Sequence, residues 1–224
     1  MKNHLELYRQ RLMKFINEVS VYPVSCEKLA SGRTDLEWLD AVLAGGARIV
    51  QLRDKESNDR TLYEKALIFR QKTKEAGALL MVNNRFDIAL LADADGVHLG
   101  NSDLPAQEVR RMCPHLLIGV SCNEREQVDT AEGRGASYYN IGPLFHTDTK
   151  KKLSPFLGLD AIEMFSTRSS LPFTVMGGIK LNHVPELVKR NARRIAVVTA
   201  LTQAKDIARE TRTWVDTIRK YENS

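Results

Sequence analysis

Cysteine is scarce in this chain and forms no pattern. Cys26, Cys113 and Cys122 are an odd number with no CxxC pair, which excludes a disulfide framework and a zinc ribbon or finger. A reducing, cytoplasmic setting suits such a chain. Aromatic residues make up 7% and do not interleave with basic patches, so there is little on which to stack bases. No nucleic-acid partner is expected. No run approaches the roughly 18 apolar residues of a membrane span. The opening MKNHLELYRQRLMKF is charged throughout and has no apolar centre, unlike a signal peptide. No membrane partner is expected either. A GxGxxG after the first apolar run is missing too, which argues against a dinucleotide-binding sheet. Charge of one sign is not dominant. The net value is +5, which phosphorylated small molecules explain as well as nucleic acid does.

What is present is alternation. The chain has 224 residues, 43% of them hydrophobic, enough for one sizeable core and read as a single domain over 1–224. Residues 1–18 form an N-terminal helical extension. Eight short apolar runs follow as strands: 20–26, 47–53, 78–83, 95–99, 116–121, 137–142, 172–177 and 194–199. Amphipathic stretches such as DLEWLDAVLAGG, RTLYEKALIFRQKTKEAG and AKDIARETRTWVDTIRKYE separate them as helices. Gly46, Gly77, Gly135 and Asn191 just precede strands, where a helix ends in positive φ. Strand–helix alternation means parallel βαβ units, and eight of them predict an α/β fold of the (β/α)8 TIM-barrel type with an extra N-terminal helix. Such barrels run to about 250 residues, so this is a compact one.

Active sites in these barrels lie at the C-terminal ends of the strands. There this chain carries Gln51, Arg53, Asp54 and Lys55, then Asn83, Asn84 and Arg85, then Asn101, Ser102 and Asp103, then Ser121. Thr147, Thr149 and Lys150 follow the sixth strand, Gly177 and Gly178 the seventh, Val198 and Thr199 the eighth. Each cluster alone has a plain reading. QLRDK is a strand end with exposed charges, GGI a turn, KKK a solvated run, His98 a core histidine and Asp95 a structural carboxylate. Together they converge on an anion. Arg53, Lys55 and Lys150 suit a diphosphate, and Asp103 in their midst is reconciled by a bridging Mg²⁺. Gly178 and Thr199 suit a second phosphate at the loops after strands seven and eight. The strand ends hold no Ser–His–Asp set, histidine cluster or carboxylate pair, and His146 is the one histidine expected near them. Chemistry driven by a leaving group, with its charge neutralised, fits that shortage of bases.

These motifs resemble the thiamine phosphate synthase family over about residues 19–220. The matching segments are QLRDK (51–55), VNNR (82–85), ADGVHLGNSDL (94–104), IGVS (118–121), IGPLFHTDTKK (141–151), GGI (177–179) and IAVVTAL (195–201). The resemblance implies a (β/α)8 enzyme, a transferase that joins hydroxymethylpyrimidine diphosphate to a thiazole phosphate, or its carboxylated form, and releases pyrophosphate. It implies Gln51, Leu52, Arg53, Asp54, Lys55, Asn83, Ser121 and Lys150 around the pyrimidine diphosphate. It implies Thr147, Asp148, Thr149, Gly178, Val198 and Thr199 around the thiazole phosphate. Arg53, Lys55, Ser121 and Lys150 would be catalytic, and Asn84 and Asp103 would hold Mg²⁺.

The sequence departs from that pattern at three places. Asn84 stands where the family usually has aspartate, Asn123 where it often has histidine, and Asn191 where it usually has glycine. Two rivals remain beside the synthase reading: the sister family of thiazole tautomerases, and a non-catalytic barrel that binds phosphorylated ligands and regulates. A phosphosugar isomerase or lyase lacks a base here. The sequence leaves a homo-oligomer open.

Overall fold

The computed structural model describes residues 4–146 and 156–222. Within them lie eight parallel strands: β1 (Val21–Pro23), β2 (Ile49–Leu52), β3 (Leu79–Asn83), β4 (Gly96–Leu99), β5 (Leu117–Cys122), β6 (Tyr138–Ile141), β7 (Phe173–Met176) and β8 (Ile195–Val197). Each falls inside or within one residue of its predicted run. The pairing order is β1-β8-β7-β6-β5-β4-β3-β2. A parallel bridge between Val24 and Gln51, with Ser25 N donating to Gln51 O at 2.9 Å, brings β1 to β2 and rounds the sheet into a barrel.

Helices alternate with the strands: α1 (His4–Glu18), α2 (Asp35–Ala44), α3 (Asp59–Glu75), α4 (Phe86–Leu91), α5 (Ala106–Met112), α6 (Arg125–Ala131), α7 (Asp160–Ser166), α8 (Val184–Lys189), α9 (Thr199–Thr202) and α10 (Ile207–Glu222). Their starts are written locally. Thr34 and Glu37 form a reciprocal capping box on α2, and the Asn58 side chain accepts from Thr61 N at 3.0 Å to cap α3. The four predicted helix-ending residues all take positive φ, Asn191 at 61°. The short α9 is not predicted, because four residues carry no helical period.

Strand side chains alternate between two cores. Val50, Leu52, Val82, Val97, Ile118, Ile141 and Val175 face outward and pack under the helices. Tyr22, Ile49, Met81, Leu117, Tyr138 and Ala196 face inward and fill the barrel. The predicted extension closes one end of that interior. Phe15 of α1 is fully buried and stacks on Tyr138 with ring centroids 4.5 Å apart, and Tyr8, Leu12 and Ile16 pack beside it. Arg11 pins the helix in place, donating to Asp95 Oδ1 and to the His115 carbonyl, both at 3.0 Å. Asp95 is structural, as expected. Its other oxygen accepts from Arg70 and from Leu80 N, both at 2.9 Å. Asp95 precedes β4, so α1 sits at the N-terminal ends of the strands, opposite the predicted mouth.

Candidate active site

The strand ends open into a cavity of about 1310 Å³. That exceeds the upper end of the usual range for one small ligand, about 1,000 Å³, and leaves room for two. Gln51, Arg53, Asp54, Lys55, Asn83, Asn84, Asp103, Ser121, Gly178, Val198 and Thr199 all line it. Six strands thus deliver these expected residues to one place. Leu52 is the exception. It alternates outward, is fully buried under the helices and does not line the cavity. Thr147, Asp148, Thr149 and Lys150 lie outside the described residues, as do Lys151 and Lys152 of the same run.

Local hydrogen bonds aim the first cluster. Arg53 N donates to Ser25 Oγ at 3.0 Å, which fixes the backbone where the chain leaves β2. The half-buried Arg53 guanidinium reaches Cys26 Sγ at 3.6 Å on the cavity wall. Asp54 then folds the turn by accepting from Glu56 N and Ser57 N, each at 3.0 Å. Burial alone would raise its pKa, but the Lys65 ammonium and the Ser57 donors hold it well below the usual carboxylate range. Lys55 is exposed at the rim.

Two of the other loops present oxygen atoms. Asp103 Oδ2 accepts from Gly100 N at 2.6 Å, and Asn84 Oδ1 accepts from Asn83 Nδ2 at 2.6 Å. Asn84 holds φ 65°, a left-handed conformation that asparagine and aspartate tolerate best after glycine. One carboxylate and one amide oxygen are hard donors of the kind Mg²⁺ accepts, with its remaining positions left to diphosphate oxygens and water. Among the described residues no group of three His, Cys, Asp or Glu gathers into a complete metal cage.

The structure corrects a second expectation at the site. His98 is not a core histidine. It lines the cavity, with Nε2 3.1 Å from Ser121 Oγ and Nδ1 3.2 Å from Tyr138 OH. The chain of contacts continues across the barrel. Tyr138 OH lies 3.1 Å from Tyr22 OH, which accepts from Gln51 Nε2 at 2.9 Å. Burial pushes both phenols up, so they stay protonated. One direction of donation satisfies every link: Gln51 to Tyr22, Tyr22 to Tyr138, Tyr138 to His98 Nδ1, and His98 Nε2 to Ser121. Ser121 then keeps its own proton to donate into the cavity. Strand register could have found His98, because β4 sets it beside Asn83 on β3.

Two further positions take a different meaning. A Cβ on Gly178, at φ 62°, would overlap the His146 carbonyl oxygen and lie 2.9 Å from Phe145 Cβ. The chain itself requires glycine there, whatever else approaches. Asn123 donates to the Gly142 carbonyl and accepts from Asn101 Nδ2 at 2.9 Å, tying three mouth loops together. It is an amide, and so no general base, at the place where the family often has histidine. The three cysteines are buried, free thiols, and burial pushes Cys122 up to about 12.

The comparisons agree with this geometry. The family model described as thiamine monophosphate synthase matches residues 21–201. A thiamine-phosphate synthase of Pelotomaculum thermopropionicum is 38% identical over 92% of this chain and 95% of its own. One from Caldicellulosiruptor saccharolyticus is 34% identical over 98% of this chain and 100% of its own. The solved thiamine phosphate pyrophosphorylase of Pyrococcus furiosus superposes with a TM-score of 0.84 at 31% identity, covering 92% of this chain and 98% of that one. With its barrel and these relatives, the chain belongs to the thiamine monophosphate synthase family.

Proposed function

We propose that this protein is a thiamine phosphate synthase, a transferase that joins hydroxymethylpyrimidine diphosphate to a thiazole phosphate, or its carboxylated form, and releases pyrophosphate. The observation that carries the reading is the cavity itself. Arg53 and Lys55 line it together with Asp103, Asn84 and Ser121. In the reaction the methylene–oxygen bond of the pyrimidine breaks and the diphosphate leaves with the electron pair. The thiazole nitrogen then attacks the pyrimidine-methyl cation. Arg53 grips diphosphate oxygens through its planar fork and Lys55 adds a point charge. Gln51, Asn83 and Ser121 orient the pyrimidine by hydrogen bonds. Gly178, Val198 and Thr199 line the wall assigned to the thiazole phosphate; the resemblance adds Thr147 and Thr149 there, and Lys150 at the diphosphate. Asn84 and Asp103 would hold Mg²⁺, which when bound neutralises charge on the departing diphosphate. A cytoplasmic location suits the free thiols.

The test is a coupling assay. The purified protein with both substrates and Mg²⁺ should form thiamine phosphate and pyrophosphate in equal amounts by chromatography. Product should vanish with EDTA and in Lys150→Ala. Binding of a substrate without product would overturn the reading. A second expectation concerns Asn84. Its oxygen is neutral, so Asn84→Asp should lower the Mg²⁺ concentration for half-maximal activity, by roughly several-fold, since affinity follows ligand charge. Equal half-saturation in the two proteins would remove Asn84 from the metal site.

A further inference from the structure

We propose that Lys65, on the flank of α3 and not at a strand end, is a positioning residue that sets the diphosphate-binding cations Arg53 and Lys55 through Asp54. The inference rests on the synthase reading. Asp54 lies between the two cations in sequence, and the resemblance made it a substrate contact. Its carboxylate has no room for that role. Oδ1 accepts from Glu56 N and Ser57 N at 3.0 Å, and Oδ2 accepts from Ser57 Oγ at 2.7 Å and Lys65 Nζ at 2.6 Å. A carboxylate offers about four lone-pair sites, and four donors fill them. An anion would also repel a diphosphate. What Asp54 does is fold the turn whose first and last neighbours point into the mouth.

Lys65 is equally committed. Besides Asp54, its ammonium donates to Asp35 Oδ2 at 2.8 Å and to Glu27 Oε2 at 3.2 Å. Three N–H donors thus meet three carboxylates. Those carboxylates come from three separate segments of the cavity rim: the 3-10 turn after β1, the start of α2 and the loop after β2. The Asp35 and Asp54 side chains are only 2% and 7% exposed, so water cannot replace the ammonium cheaply. Without Lys65, three carboxylates would stand uncompensated beside the place where a diphosphate must bind. The turn would also lose the bond that anchors it to α3. Both effects act on the diphosphate and neither acts on the thiazole side.

The experiment compares wild type, Lys65→Met and Lys65→Gln by calorimetric titration with inorganic pyrophosphate and Mg²⁺, and by KM for each substrate. Lys65→Met should weaken pyrophosphate binding about tenfold or more and raise KM for the pyrimidine diphosphate similarly. KM for the thiazole phosphate should hold within about twofold, as expected for a site that shares no partner with Lys65. Lys65→Gln, which keeps donors and reach, should fall between the two and serves if the methionine variant does not fold. The double variant Lys65→Met/Asp54→Asn should bind pyrophosphate no worse than the weaker single one. Unchanged pyrophosphate affinity, or an equal rise in both KM values, would overturn the proposal. A wild type that binds pyrophosphate but forms no thiamine phosphate would overturn the synthase reading instead, and the calorimetric comparison would still decide the role of Lys65.

Discussion

Arg53→Ala is expected to lower kcat/KM by about 100- to 1,000-fold, the effect of removing one preorganised donor to charge that develops in a transition state. The geometry argues for the high end. Ser25 fixes the backbone at Arg53, and the half-buried guanidinium rests against Cys26 inside the cavity, so the fork is held in place before substrate arrives. Arg53→Lys should recover only part of the loss, because an ammonium keeps the charge but not the bidentate geometry. Steady-state kinetics with each substrate varied in turn is the check. The fall should appear in kcat as well as in KM for the pyrimidine diphosphate. Arg53 lies outside both hydrophobic cores, so thermal stability should barely move. Activity within threefold of wild type would mean that the diphosphate leaves from somewhere else.

Gly119→Ala should damage stability and catalysis together. Gly119 faces the barrel interior between β4 and β6, and a Cβ there would overlap the Tyr138 ring and hydroxyl and lie 2.6 Å from His98 Nδ1. Tyr138 cannot retreat, since it is fully buried with Phe15 stacked on it. Overpacking of this kind costs about 3 kcal/mol. For a chain of this size that corresponds to a Tm lower by roughly 6–12 °C. Any folded fraction should also be a poor catalyst, because the displaced groups are the ones that hold Ser121. Thermal melts and turnover on the same preparations test both halves. An unchanged Tm would mean that the barrel interior repacks around a methyl group without strain.

The strands were legible because most are short runs of β-branched, aliphatic or aromatic residues between helical stretches, and because a parallel barrel needs nothing beyond that alternation. The mouth residues were legible for a related reason. A barrel fixes which end of each strand carries chemistry, so polar residues there can be read in order. His98 was hidden because Val97 and Leu99 on either side make it look apolar. Only the pairing of β4 with β3 and β5 reveals that it faces inward beside Asn83 and near Ser121. Lys65 was hidden more deeply. A lysine in the middle of an amphipathic helix reads as a solvated face, and its three partners lie 11, 30 and 38 residues away in the chain. Gly178 was found for its place after the seventh strand, and the structure adds a demand of its own from the backbone at His146.

The helix that stoppers the barrel has a practical consequence. Its first residue, His4, lies against His115 with the two rings tilted, and His115 stands just ahead of β5, at the closed end of the barrel. A tag, fluorophore or surface tether attached ahead of that helix would emerge from the face turned away from the reaction. Protein immobilised that way would present its open mouth to the flowing solution, and substrates and pyrophosphate would exchange without crossing the support.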